Sequence, residues 1–206
     1  MKVAFTGTSG SGKTTLVKFL EAELGLKHIN GSAGTIGGEA LAELKKRYNY
    51  EGDGHLEVIR RSALNPDFAF DFQRVVLSER YKAFMLNDNF VTDRSPLDNL
   101  TYFALQASWN EQSSQRCESF ENLCYHSMAE LTHLIYIKPC QPNGEIEDNG
   151  SRIPNSLYQS AVDAVFEKFL ERLKPKNLLV IDYWDLDLRK KTLLEFVKPS
   201  QSRLAL

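Results

Sequence analysis

Hydrophobic residues recur along this chain in two rhythms that take turns. Short runs rich in β-branched, aliphatic or aromatic residues lie at Lys2–Thr6, Lys27–Asn30, Asn89–Asp93, Thr132–Lys138 and Leu178–Asp182. Such runs, closed by turn residues, read as strands. The stretches between them carry a helical period. One helix starts near Lys13 and stops at Gly25, a C-terminal cap. Another covers about Glu39 to Arg47. A long one opens at Pro66-Asp67, with Phe68, Phe72, Val75, Val76 and Ala83 at helical spacing. A fourth opens at Ser95-Pro96, proline being tolerated in a first turn. Two more cover about Gln115 to Leu131 and Asn155–Leu173; in the latter, Leu157, Ala161, Val165, Phe169 and Leu173 form the apolar line. The last runs from about Asp185 to Val197. Tyr48 to Pro66 and Ser108–Ser114 read as polar breaks, residues 139–152 as a polar loop, and the chain beyond Pro199 as a loose tail. Strands alternating with helices predict an α/β fold, a parallel sheet with helices on its faces.

At 206 residues the chain suits one α/β domain with inserted loops, and no composition shift divides it. Its net charge of −2 does not support broad, nonspecific binding to nucleic acid, although a local basic groove stays open. The three cysteines, Cys117, Cys124 and Cys140, are an odd number without framework spacing, as expected of reduced thiols in a cytoplasmic protein. Cys117 and Cys124 are placed to share a helix face and pack. No leader-like segment and no membrane-length apolar run is present.

The chemistry is concentrated between the first strand and the first helix. Gly7-Thr8-Ser9-Gly10-Ser11-Gly12-Lys13-Thr14 fits G-x-x-x-x-G-K-[ST] between a strand and a helix start, the arrangement of a phosphate-binding loop. A polyphosphate is held by converging backbone N–H groups and the positive end of a helix dipole. Gly10, Ser11, Gly12, Lys13, Thr14 and Thr15 are the expected nucleotide-binding residues. Lys13 supplies an ammonium to the β- and γ-phosphates, and Thr14 a hydroxyl to Mg²⁺.

Open parallel sheets bind ligands beyond the carboxyl ends of their strands. Asp93 ends a strand there; it can hold a metal with Thr14, take a proton from an acceptor, or cap the following helix, as Ser95 also can. Arg94 suits bidentate grip on a phosphate or carboxylate. Arg152, in the polar loop, is a candidate to close over a transferring phosphoryl group; Lys138 is a weaker one. Asp71, Gln73 and Arg74 share the long helix and are either part of an acceptor pocket or a solvated face. Trp109, Tyr183 and Trp184 are available to stack on a base or to pack. His28, His55, His126 and His133 lack metal-ligand spacing and read as structural.

Together, Gly7–Thr14, Asp71-Phe72-Gln73, Val91-Thr92-Asp93-Arg94-Ser95-Pro96-Leu97-Asp98 and Asp148-Asn149-Gly150-Ser151-Arg152 resemble the AAA-type, nicotinamide-riboside-kinase-like branch of small P-loop kinases, within the clan of thymidylate and deoxynucleoside kinases. The resemblance covers the chain from the first strand to about Leu173. It implies a P-loop NTPase three-layer α/β/α fold with a five-stranded parallel sheet and a lid over about 139–154. It also implies ATP with Mg²⁺ and transfer of the γ-phosphoryl group to a small acceptor. By the same resemblance Lys13, Asp93, Arg94 and Arg152 are the catalytic residues, and Thr14 and Asp93 organise the metal. Many such enzymes are encoded by phages, and some related ones act on a hydroxymethylated base in DNA. Nucleoside kinases of the clan place a glutamate just after the second strand; here that place reads Asn30-Gly31-Ser32. The departure leans toward a (deoxy)nucleoside monophosphate acceptor, already anionic, or toward Asp93 as base. A modified-DNA kinase, with Lys45-Lys46-Arg47 at one edge of a groove, and a regulatory NTPase are the alternatives. A monomer or a homodimer fits equally.

Overall fold

A computed structural model of the chain describes residues 1–50, 55–108, 111–140 and 155–198. In chain order the elements are β1 (Lys2–Thr6), α1 (Lys13–Leu24), β2 (Lys27–Ile29), α2 (Ala33–Ile36), α3 (Gly38–Arg47), α4 (His55–Leu64) and α5 (Pro66–Met85). They continue with β3 (Phe90–Thr92), α6 (Pro96–Ala107), α7 (Ser114–Met128), β4 (His133–Ile137), α8 (Ser156–Leu173), β5 (Leu178–Ile181) and α9 (Leu186–Val197).

The strands form one sheet in the order β2-β3-β1-β4-β5, with every pairing parallel. Val3 lies opposite Val91 on one side and His133 on the other. The chain therefore leaves β1 toward β3 and β2, then returns across it to β4 and β5. The reversal opens a crevice at the carboxyl end of β1, where the glycine-rich loop begins.

Alternation along the strands creates two cores. Val3, Phe5, Ile135 and Ile137 face α1 and α9, packing with Leu16, Val17, Leu20, Leu193 and Val197. Ala4, Leu134 and Tyr136 face the other way, toward Leu100, Phe103, Phe120, Phe166 and their neighbours on α6, α7 and α8. Helices on both faces of a fully parallel sheet make the three expected layers. Cys124 is buried in the second core and Cys117 packs against it.

The structure departs from the expected elements at two places. The segment after Tyr48 is not a polar break throughout, for it contains helix α4. Glu57 pairs with Arg60 and Arg61 one turn on, at 2.8 and 3.2 Å, and such spacings support a helix. Its buried side includes Ser62, 0% exposed, so a polar residue interrupts the apolar stripe that would have revealed it. In α8 the buried line is Val162, Phe166 and Leu170, while Leu157 is 80% exposed. The buried face lies one residue later than the Leu157–Leu173 line, because two i, i+4 series run side by side and only packing against α6 selects one. The tail beyond Pro199 lies outside the described residues.

Gly7 closes β1 at φ 131°, and a Cβ there would stand 2.3 Å from the Ile137 carbonyl oxygen. Both the left-handed backbone and the contact exclude a side chain. Gly7→Ala is expected to cost about 3 kcal/mol, read as a lowered midpoint in urea unfolding. A variant with wild-type midpoint and slope would refute this close approach of β1 to β4.

Among the described residues no helix is long and apolar enough to cross a membrane.

Candidate active site

The loop between β1 and α1 is built from backbone angles that L side chains avoid. Gly7, Gly10 and Gly12 all have positive φ, at 131°, 83° and 90°. Gly12 is the N-cap of α1, whose first turn carries no acidic residue. The positive end of the helix dipole is thus unopposed where an anion would sit. Lys13 is 6% exposed, and its Nζ donates to the carbonyls of Gly7 at 2.9 Å and Thr8 at 2.5 Å and to the Ser11 hydroxyl at 3.2 Å. The ammonium is held inside the turn. Thr14 and Thr15 are exposed on the first turn of α1.

At the end of β3 lies the Asp93-Arg94-Ser95 block, of which Arg94 reaches this loop. Ser95 caps α6, its hydroxyl accepting from Leu97 N, while Asp98 closes a capping box onto Ser95 N. Ser95, then, is the cap, and Asp93 is not spent on that role. One Asp93 oxygen accepts from Gly31 N at 2.8 Å. Arg94 donates to Asp98 Oδ1 at 2.9 Å, and its other Nη lies 3.4 Å from Ser9 Oγ of the glycine-rich loop. Burial alone would push this guanidinium down, but Tyr102 and the Asp98 carboxylate more than offset that and raise it. It stays charged at every working pH.

Asp98 is the hub. It is 2% exposed and accepts from Thr6 Oγ1 at 2.7 Å, Ser95 N at 2.8 Å, Ser95 Oγ at 3.1 Å and Arg94. Thr6 is the last residue of β1, so a single carboxylate ties the strand feeding the loop to the arginine facing it.

A second buried cation lies behind. Arg80 of α5 donates to the carbonyls of Gly31 at 2.7 Å and Ser95 at 3.2 Å. Burial pushes its guanidinium down to about 10, against the pull of Asp98, which leaves it charged at neutral pH. Gly31 is thereby clamped from both ends of its residue. A Cβ on it would stand 2.6 Å from Arg94 Cβ, so the β2 turn and the Arg94 backbone touch. Beside them Asn99 Nδ2 donates to Gln73 Oε1 at 3.0 Å, while Asn99 Oδ1 is buried without a partner. Gln159 of α8 donates to the Ser9 carbonyl at 2.9 Å. Tyr158, next to it, has its hydroxyl pushed up by burial and by the nearby Tyr102.

The structure therefore brings Lys13 and Arg94 to one loop, while Asp93, next to Arg94, is shown only on the Gly31 N–H of the β2 turn. Gln73 turns inward, 5% exposed, against Asn99 of α6. Asp71 turns away, to Tyr48 Oη at 2.9 Å and to Arg47. Lys138 pairs with Glu167, and Tyr183 donates its hydroxyl to Thr192 at 2.6 Å. Trp184 lies against the Arg189 guanidinium, 4.8 Å from ring centroid to Cζ. Arg152 and Trp109 lie outside the described residues. Asp98 stands in the block that carries the resemblance but has no role assigned from the sequence, and Arg80, Gln159 and Arg189 are not singled out there. Asp98 had a signal, an acid three residues after a capping serine. Arg80 had one too, a cation on the face shared by Gln73, Val76 and Phe84. Gln159 and Arg189 had none.

A family model described as an AAA domain matches residues 2–184. No curated protein sequence matches the chain. Among solved structures, deoxyadenosine kinase from M. mycoides with bound dCTP is similar at 15% identity and a TM-score of 0.63, over 96% of this chain and 98% of that one. The YorR protein from Bacillus subtilis, in complex with phosphorylated GDP, is similar at 14% identity and a TM-score of 0.53, over 95% and 94%. NadR in complex with NR is similar at 14% identity and a TM-score of 0.56, over 98% of this chain and 52% of that one. At these identities the likenesses establish the fold.

Proposed function

The chain belongs to the AAA domain family, and from that premise we propose that it is an ATP-dependent phosphotransferase whose acceptor is a deoxynucleoside monophosphate. The observation that carries the reading is Arg94, held by Asp98 on one side and 3.4 Å from Ser9 of the phosphate loop on the other. A transferase needs a second cation there to orient the acceptor and to offset charge spread over the moving group; a hydrolytic NTPase can use one for the second purpose alone, so the acceptor panel below decides between them.

In this reading the amides around Gly10–Thr14 and Lys13 bind the donor phosphates. Lys13 exchanges its loop carbonyls for phosphate oxygens. Arg94 orients the acceptor, and Arg152 is assigned by resemblance alone to close over the transferring group. Thr14 offers an exposed hydroxyl and Asp93 a second carboxylate oxygen besides the one taken by Gly31 N. Hard oxygen donors in this small number suit Mg²⁺, which takes its remaining ligands from phosphates and water. When bound there, the ion would neutralise charge on the β- and γ-oxygens.

The acceptor class rests on the β2 turn. Asn30 Oδ1 accepts from Ser32 N at 3.0 Å, and Gly31 is clamped as described, so the turn itself supplies no carboxylate as a base and the acid beside it is Asp93. A monophosphate needs no base. A second reading, transfer to a free deoxynucleoside, is favoured by the likeness to the M. mycoides deoxyadenosine kinase, one structure of which holds dCMP as a product. Asp93 would then be the base.

One experiment separates the readings: γ-labelled ATP offered with a panel of deoxynucleosides, their monophosphates and hydroxymethylated duplex DNA. Label is expected on a deoxynucleoside monophosphate. Label on nucleosides alone transfers the assignment to the second reading, and label only on duplex DNA, with steep salt dependence, rules out both. Slow hydrolysis indifferent to every acceptor would make the chain a regulatory NTPase.

A further inference from the structure

Arg189, on the last helix, is 2% exposed and reaches back across the molecule to the phosphate loop. Its Nη1 donates to the Ser11 carbonyl at 2.9 Å, its Nε to the Tyr183 carbonyl at 2.6 Å and its Nη2 to Cys140 Sγ at 2.9 Å. The Trp184 ring covers it at 4.8 Å. These partners are two carbonyls, a thiol and a ring; among the described residues no carboxylate forms an ion pair with it. A guanidinium withdrawn from water without an anion is expensive. Arg94, which reaches the same loop at Ser9, has its carboxylate in Asp98; Arg189 has none among the described residues.

Its position states what the charge is for. A trans peptide is planar, with C=O and N–H pointing to opposite sides. Fastening the Ser11 oxygen to Arg189 outside the loop therefore turns the Gly12 N–H to the other side of that peptide, away from the guanidinium. Backbone N–H groups are what grip a polyphosphate in such a loop. Gly12 is at φ 90°, and a Cβ on it would stand 3.0 Å from Arg189 Nη1, so the loop and the guanidinium are fitted to each other without a spare atom between them.

We infer that Arg189 is a positioning residue for the donor: it sets the Ser11–Gly12 peptide for phosphate binding, and the charge it buries is balanced by the polyphosphate. The inference rests on the reading of the loop as a polyphosphate site and is independent of the acceptor. Because Arg189 also holds the Tyr183 carbonyl and lies under Trp184, the turn after β5 and the loop after β1 are set by one side chain.

The test uses binding without an acceptor. Wild type, Arg189→Met and Arg189→Lys are compared for melting temperature and for Kd, with no ligand, with Mg-ATP and with Mg-tripolyphosphate. Ligand-free R189M is expected to melt within a few degrees of wild type, since it loses an unbalanced buried charge along with three hydrogen bonds. Its affinity for ATP and for tripolyphosphate should fall alike, by roughly tenfold to a hundredfold, and the ligand-induced rise in melting temperature should shrink with it. R189K, which keeps the charge and loses the fork, should fall between. A lowered ligand-free melting temperature with wild-type Kd for both ligands would make Arg189 a structural brace and overturn the inference. If R189M does not fold, R189K decides: a wild-type Kd refutes the role and a weakened one supports it. Wild type that binds neither ligand would bring down the loop reading itself, an outcome distinct from any difference between variants.

Discussion

Lys13→Ala should lower turnover on the order of a thousandfold or more while the chain still folds. Lys13 is the one ammonium inside the loop, and its contacts with the Gly7 and Thr8 carbonyls are those it can trade for phosphate oxygens. Removing it takes away a charge aimed at the transferring group and leaves two carbonyls short of a donor, a structural cost of about 1–3 kcal/mol. Circular dichroism should therefore report a folded variant with a modestly lower melting temperature. Steady-state kinetics on the responsive acceptor should show the collapse in kcat. Near-wild-type turnover in K13A would mean that phosphates are handled elsewhere, and the whole placement of the site would go with it.

Asp98→Ala should lower stability substantially. Asp98 is 3% exposed in its side chain and Arg94 is 23% exposed. Deleting one partner of a buried pair typically costs about 3–5 kcal/mol; the partial exposure of Arg94 argues for the lower end, about 3 kcal/mol. For a chain of this size that corresponds to a fall in melting temperature of roughly 10 °C. Much of the cost is the cation left behind, so a double variant with Arg94→Met should lose less than the sum of the two single changes. Additive losses would show that Asp98 serves Thr6 and Ser95 and has no bearing on Arg94. Activity gives a second handle. In D98A the arginine keeps its charge and loses its tether, so kcat should fall at saturating ATP while ATP affinity changes little.

The β2 turn sharpens the question of acceptor chemistry. Its Gly31 is fixed by Asp93 through its N–H and by Arg80 through its carbonyl. The turn, the Asp93 carboxylate, the Arg80 guanidinium and the Arg94 backbone consequently form one patch in which a substitution at any member is felt by the others. That coupling has a cost in buried charge, Arg80 and Arg94 within the same wall, and Asp98 is the buried carboxylate against which both are set.

Local features of the chain were legible because their causes are local. A glycine at positive φ, a proline in a first turn or a serine followed three residues later by an acid constrains only its neighbours. The phosphate loop, the Ser95 cap and the five strands could be read on that basis. Where the buried surface includes a polar residue, as at Ser62 in α4, or where two apolar series compete, as in α8, periodicity stops deciding and packing takes over. Asp71 and Gln73 illustrate the limit from the other direction. They are two residues apart on one helix, and only the neighbours supplied by α3 and α6 send one to Arg47 and the other inward to Asn99.

By itself the sequence determined the alternation of strands and helices, the loop that can nest a polyphosphate, and the presence of an acid and an arginine at the end of a strand. Those follow from dihedral preference and spacing, forces that act over a few residues. Tertiary structure decided which groups meet: Arg94 with Ser9 across 85 residues, Thr6 with Asp98 across 92, and Arg189 with Ser11 across 178. Such pairs become neighbours only once the sheet order reverses at β1 and brings the ends of its strands to a common rim. A charge's value depends on what it is buried against, and nothing in the order of residues states that before the chain has closed.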